Sequence, residues 1–82
     1  MTQEELNRIK ELHSKIKDKT ITQKEKDEFV EIFYNNNEIN DIAYNAYKEK
    51  KFADSVIRTC ITIGGIILTD ILLNKIIENN NK

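Results

Sequence analysis

Apolar residues recur at helical spacing along most of the chain, and they are most concentrated between Val56 and Ile77. Near the N-terminus they form one narrow stripe, surrounded by charged positions: Leu6, Ile9, Leu12 and Ile16. A stripe of this kind is typical of an amphipathic helix on the surface of a core. We therefore predict a first helix from about Gln3 to Asp18.

Two capping boxes predict where helices begin. Thr2 and Glu5 form the first pair, and Thr22 and Glu25 form the second, each with the Ser/Thr-x-x-Glu spacing that satisfies two free N–H groups. The second pair opens a predicted helix that extends to about Tyr34. It carries Phe29, Val30, Ile32 and Phe33, and the run of asparagines at 35–37 ends it because Asn tolerates the left-handed conformation.

A third predicted helix follows, from Glu38 to about Lys50. Its apolar positions are Ile39, Ile42, Ala43, Ala46 and Tyr47. The lysine-rich run at 48–51 then interrupts the pattern without proline or glycine. A kink, a short turn capped by Asp54 and one continuous helix over residues 38–78 all fit this run, and we expect a break near Lys51.

The stretch from 52 to 78 has two distinct faces if it forms one helix. One heptad-spaced series is apolar up to its last position: Ala53, Ile57, Cys60, Gly64, Ile67, Ile71 and Asn74. On the opposite side, a series that includes Ser55 begins small and polar and becomes aliphatic. Three short helices are expected to cover one face only, so this second face predicts an oligomer interface. The predicted interface residues are Thr59, Thr62, Ile66, Thr69, Leu73, Ile76 and Ile77.

Two other structures fit the same stretch. Gly64 and Gly65 separate two runs rich in β-branched residues, a length that suits a hairpin turn, but no other strand is available to pair with them. In a helix, the glycines would instead permit close approach of another backbone. A membrane span is the second alternative, although Arg58 and Asp70 leave only residues 59–69 uncharged, fewer than the ~20 required.

The composition supports a small all-α protein. The 82 residues include no proline and two glycines, so the turn chemistry of a β domain is lacking. We predict one domain over residues 1–78 with a disordered tail at 79–82. Cores of this size are marginal, which favours oligomerisation. The chain has 14 acidic and 13 basic residues, and only two of the basic residues are Arg. We therefore expect no nucleic-acid partner.

The side chains that carry chemistry are few. His13 is the only histidine and has no partner at ligand spacing, so neither a metal site nor a cofactor is expected. Cys60 is the only cysteine, which suits a reducing cytoplasm, and its aliphatic neighbours predict an inert core thiol. One group combines aromatic rings with lysines and is the candidate surface for a partner or ligand: Tyr44, Tyr47, Lys48, Lys51 and Phe52.

Together these features predict three short helices packed on a longer hydrophobic C-terminal helix, in an oligomeric bundle. No catalytic constellation is recognisable, so we expect a cytoplasmic, non-enzymatic module that self-associates and blocks or sequesters a protein partner. Heavy use of Ile, Asn and Lys suggests an A/T-rich source such as a low-GC bacterium, a phage or another mobile element. The alternatives are a holin-like protein with a single membrane span and an oligomer that binds a nucleotide or another small ligand.

Overall fold

Four α-helices make up the regular structure of residues 1–80. The computed structural model describes the backbone of these residues and the side chains of residues 1–69. The helices are Gln3–Asp18 (α1), Gln23–Asn35 (α2), Asp41–Lys48 (α3) and Ala53–Asn80 (α4). The predicted all-α bundle, with three short helices against a long C-terminal one, is confirmed. Residues 79–80 of the predicted tail continue α4, and residues 81–82 lie outside the described part. The single domain stays a prediction.

Both predicted capping boxes are formed. The Thr2 hydroxyl accepts a hydrogen bond from the Glu5 N–H at 3.1 Å, and the Glu5 carboxylate accepts one from the Thr2 N–H at 3.0 Å. Thr22 and Glu25 make the same reciprocal pair at 3.2 and 3.0 Å. These bonds satisfy N–H groups that the helix itself leaves free, which explains why α1 and α2 start where the sequence predicts.

The end of α2 follows the asparagine run. Asn36 is the C-cap of the helix, and Asn37 adopts a left-handed φ of 60°. At the end of α1, Lys19 is the C-cap and adopts the left-handed conformation, also at φ 60°. Both glycines of the chain lie in α4, so other residues adopt the left-handed turns at some strain.

Helix α3 is shorter than predicted at both ends. It begins at Asp41 because the side chain of Asn40 accepts a hydrogen bond from the Ala43 N–H at 2.9 Å and acts as the N-cap. Ile39 is therefore a buried residue of the connecting loop rather than a helical position, and Ile42 is 80% exposed. The prediction was wrong here because several asparagines compete as caps, and only the fold selects Asn40.

The predicted break near Lys51 is confirmed. Lys50 and Phe52 both have positive φ, at 60° and 54°, and these two residues turn the chain between α3 and α4. Since α4 begins at Ala53, Asp54 lies in its first turn rather than at its cap. The helix then continues through Gly64 and Gly65, so the hairpin alternative is wrong.

The core lies where α1, α2 and α3 meet the inner face of α4. Its buried residues are Ile9, Leu12, Phe29, Val30, Phe33, Ile39, Tyr47, Val56, Ile57 and Cys60. The predicted core series of α4 is confirmed at Ile57, Cys60 and Gly64. The side chains of Ile71 and Asn74 lie outside the described residues. The aromatic pair Phe29 and Phe33 packs edge to face, with ring centroids 5.1 Å apart.

Charged side chains join α1 to α2 at the edge of this core. The Arg8 guanidinium donates two hydrogen bonds to the Glu28 carboxylate, at 2.6 and 2.9 Å, and also pairs with Glu11. Lys15 donates a hydrogen bond to Glu25, whose carboxylate also accepts the capping bond from Thr22. Lys15 and Thr22 lower the pKa of Glu25 to about 2, and Arg8 lowers the pKa of Glu28 below its usual range.

Acid is expected to destabilise the bundle through these carboxylates. A lowered pKa in the folded chain means that the contribution to stability is present above the ordinary value of 4.5 and is lost as pH falls toward about 2. Thermal unfolding followed by circular dichroism should therefore show a falling midpoint below pH 4.5. Glu25→Gln should flatten this dependence, and an equally steep dependence in that variant would contradict the assignment to Glu25.

Candidate functional site

The side of α4 opposite the core is exposed wherever its side chains are described. Thr59, Thr62, Ile66 and Thr69 are all exposed, and Ile66 retains 60% of its accessible surface. With Gly65 they lie within an arc of about 120° on an ideal helix. We call these five residues the outer face of α4. The other members of the predicted interface, Leu73, Ile76 and Ile77, have side chains outside the described residues.

Two of the three threonine hydroxyls of this face, those of Thr59 and Thr62, are already hydrogen-bonded within α4. Thr59 Oγ1 donates to the Ser55 carbonyl oxygen, and Thr62 Oγ1 donates to the Arg58 carbonyl oxygen, both at 3.0 Å. Because each O–H has its acceptor one turn earlier in the same helix, covering these side chains leaves no hydroxyl donor unsatisfied. An apolar partner can therefore cover Thr59 and Thr62 at little desolvation cost.

The two adjacent glycines have different surroundings. A Cβ at Gly64 would lie 3.1 Å from Phe33 Cζ and 3.6 Å from Ile9 Cγ2, whereas a Cβ at Gly65 would meet nothing within 4 Å. Gly64 thus lies against the buried ring of Phe33, whereas the sequence suggested the close approach of another backbone. Gly65 has no neighbour in its own chain that excludes a side chain, although glycine destabilises a helix by about 1 kcal/mol relative to alanine.

A groove runs between α1 and the outer face of α4. One wall is His13, and the α4 side is formed by Ile61, Thr62, Gly65, Ile66 and Thr69. None of these six described residues is a lysine, an arginine or a carboxylate, but the exposed Arg58 lies on the same side of α4, and the side chain of Asp70 is outside the described residues. Sequence reasoning missed Gly65 as part of this surface, although its position three residues after Thr62 and four before Thr69 places it on the same face. His13 is half-buried there.

The aromatic and lysine group does not form one open surface. Tyr47 is 6% exposed, and its hydroxyl donates a hydrogen bond to Asp27 at 2.6 Å. Burial and this bond raise the pKa of the Tyr47 phenol. Tyr44 stacks on Tyr34 with ring centroids 3.9 Å apart, and the Lys48 ammonium lies 5.3 Å from the Tyr44 ring centre. These three predicted contact residues are engaged within the chain itself.

The remaining two members lie in the turn between α3 and α4. Phe52 is 77% exposed and Lys51 is exposed, with Nζ 3.7 Å from the Glu49 carboxylate. The structure thus leaves Lys51 and Phe52 open to solvent and Tyr47 in the core. A partner or ligand at this group stays a prediction.

Cys60 is completely buried, as predicted for a core thiol. Burial raises the pKa of the thiol to about 12, so the reactive thiolate is scarce at neutral pH.

In the part of the chain that the structure describes, no helix combines the length and the apolar character that crossing a bilayer demands.

The outer face of α4 and the adjoining groove are therefore the candidate functional site. Comparison of the chain with protein-family models, curated proteins and solved structures gives no match.

Proposed function

We propose that this protein is a non-enzymatic protein-interaction module that self-associates through the outer face of α4. The supporting observation is the exposure of that face: Thr59, Thr62, Ile66 and Thr69 are all exposed, and Ile66 retains 60% of its accessible surface although it is a large apolar side chain.

Helix α4 is much longer than the helices packed on it. Its 28 residues span about 42 Å, against about 24 Å for the 16 residues of α1, which is the next longest helix of residues 1–80. The longest dimension of the molecule is 50 Å, close to the length of α4 itself. A helix this much longer than its neighbours presents surface that a second chain can cover.

We also propose that the protein binds a partner protein other than a copy of itself. A small module that associates through an exposed helical face acts by occupying or covering a surface, and we place its action on a protein that it blocks or sequesters. Its buried single cysteine and its A/T-rich residue usage support a cytoplasmic protein of a low-GC bacterium, a phage or another mobile element.

Charge reversal at matched isoleucines tests self-association. Ile66→Glu places a carboxylate on the outer face of α4, and Ile42→Glu places one on α3, at a residue that is also exposed. Analytical ultracentrifugation over a wide concentration range should show association of the wild type and of Ile42→Glu. We expect Ile66→Glu to weaken association at least about tenfold, because a charge must lose its hydration at the interface.

Circular dichroism should show folded helices in both variants, since neither isoleucine is in the core. A wild-type chain that stays monomeric at every concentration would overturn the proposal. Equal weakening by both substitutions would show that the outer face of α4 is not the interface.

A further inference from the structure

A cleft lies where the connection between α1 and α2 meets the first half of α4. Its volume of about 350 Å³ is at the lower end of the ~300–1,000 Å³ that is typical of small-molecule sites. Four isoleucines from three parts of the chain form its apolar floor, and none of them is exposed: Ile16, Ile21, Ile57 and Ile61. The cleft shares Ile61 with the groove at His13, but no other residue.

The rim of this cleft is positively charged. It includes Lys19, Lys26 and Arg58, and Asp54 is the only carboxylate among the eight described residues that line the cleft. In the part of the chain that the structure describes, the ion pairs join other side chains and involve none of these three cations. The backbone of Asp70 lies about 18 Å beyond that of Arg58 along α4, outside the cleft. The rim therefore attracts an anion.

One face of α4 supplies both kinds of contact. Asp54, Ile57, Arg58 and Ile61 line the cleft, at the i, i+3, i+4 and i+7 spacing that places side chains on one side of a helix. The planar fork of N–H donors on an arginine matches the two oxygens of a carboxylate. A ligand with an aliphatic chain and a carboxylate head can thus contact Ile57, Ile61 and Arg58 at the same time.

The size of the cleft favours a small molecule over a protein. A standard protein interface covers about 800 Å² on each partner, far more than a cleft of about 350 Å³ provides. An aliphatic chain gains free energy by leaving water for the isoleucine floor, and an anionic head gains it from the cations beside that floor.

We propose that this cleft binds a small amphipathic carboxylate, a molecule with one aliphatic chain and one carboxylate head. The chain lies on the isoleucine floor. Arg58 donates hydrogen bonds to the head group, and Lys19 and Lys26 add positive charge beside it. This site does not depend on the proposed self-association, so either proposal can fail without the other.

Isothermal titration calorimetry with decanoate, kept below its micellar concentration, tests the site on dilute wild-type protein at neutral pH. We expect one decanoate to bind to each protomer. Decyltrimethylammonium has the same chain with the opposite charge, and acetate has the same head without the chain. Both should bind at least about tenfold more weakly than decanoate, because each lacks one of the two contacts.

Substitutions at the rim separate binding from folding. Arg58→Gln should weaken decanoate binding about tenfold, since it removes hydrogen bonds between charged groups. Lys19 has a φ of 60°, which glycine adopts without strain. Lys19→Gly should therefore raise the unfolding temperature and yet weaken decanoate binding about threefold. Lys10→Gln is the matched control, because Lys10 is exposed on α1 and does not line the cleft. This variant should bind decanoate as the wild type does.

Amide NMR spectra recorded during the titration locate the bound decanoate. Shift changes around Lys19, Ile21 and Ile57 would support the proposal, and changes confined to the surroundings of His13 and Gly65 would overturn it. The proposal also fails if decanoate does not bind, or if it binds no better than decyltrimethylammonium. Equal weakening by Arg58→Gln and Lys10→Gln would likewise count against it, and circular dichroism shows whether each variant is folded.

Discussion

Phe33→Ala is expected to destabilise the fold by about 3–5 kcal/mol, a large part of the ~5–15 kcal/mol that holds a typical domain together. Phe33 is completely buried, packs edge to face on Phe29 and lies against Gly64 of α4. Alanine removes the ring that packs α2 against α4 and leaves a cavity among residues that cannot fully close it. Urea unfolding followed by circular dichroism, at a concentration where the protein is dilute, measures the loss.

Phe52→Ala is the matched control for this experiment. The residue type is the same, but Phe52 is 77% exposed in the turn before α4. Its removal should change the free energy of unfolding by no more than about 0.5 kcal/mol. Similar losses in the two variants would contradict the packing described for Phe33.

Gly64→Leu is expected to destabilise the protomer by about 1–3 kcal/mol through overpacking. Leucine is a better helix former than glycine, so intrinsic propensity alone would stabilise α4. The loss arises because even a Cβ would lie 3.1 Å from Phe33 Cζ and 3.6 Å from Ile9 Cγ2. A fully buried ring has little freedom to move away. Chemical unfolding of the dilute protein gives the sign and the size of the effect.

Two comparisons test whether the destabilisation by Gly64→Leu arises from the Phe33 ring. Gly65→Leu changes the neighbouring residue in the same way but meets open space in the protomer, so it should not be destabilising. Combining Gly64→Leu with Phe33→Leu should cost less than the sum of the two changes, since a smaller side chain at 33 leaves room for the new one. Strict additivity of the two changes would contradict the contact.

Local signals in the sequence determine most of the helix boundaries. Each capping box is a contact between residues three apart, so Thr2 with Glu5 and Thr22 with Glu25 could be recognised without a fold. The buried face of α4 could also be predicted from the sequence, because a helical period alone aligns Ile57, Cys60 and Gly64. Sequence patterning therefore predicted both the number of helices and the side of α4 that is buried.

Contacts between distant residues could not be predicted in this way. Asn40 was not chosen as the cap of α3, because the neighbouring asparagines have the same chemistry. The apolar spacing of the third helix did place Tyr47 on a packed face, yet its bond to Asp27, 20 positions away, depends on how α2 and α3 meet. The same holds for Gly64, whose use became clear only with Phe33 beside it.

Because Cys60 is buried, the rate at which its thiol is alkylated can measure how often the bundle opens. Its thiol is fully covered, and the burial that raises its pKa also suppresses the thiolate that alkylating reagents require. A reagent such as iodoacetamide can therefore modify the native chain only when α4 separates from the helices packed on it. The rate of modification reports how often that separation occurs. A cysteine introduced at an exposed position, by contrast, can be labelled selectively without removing the native one.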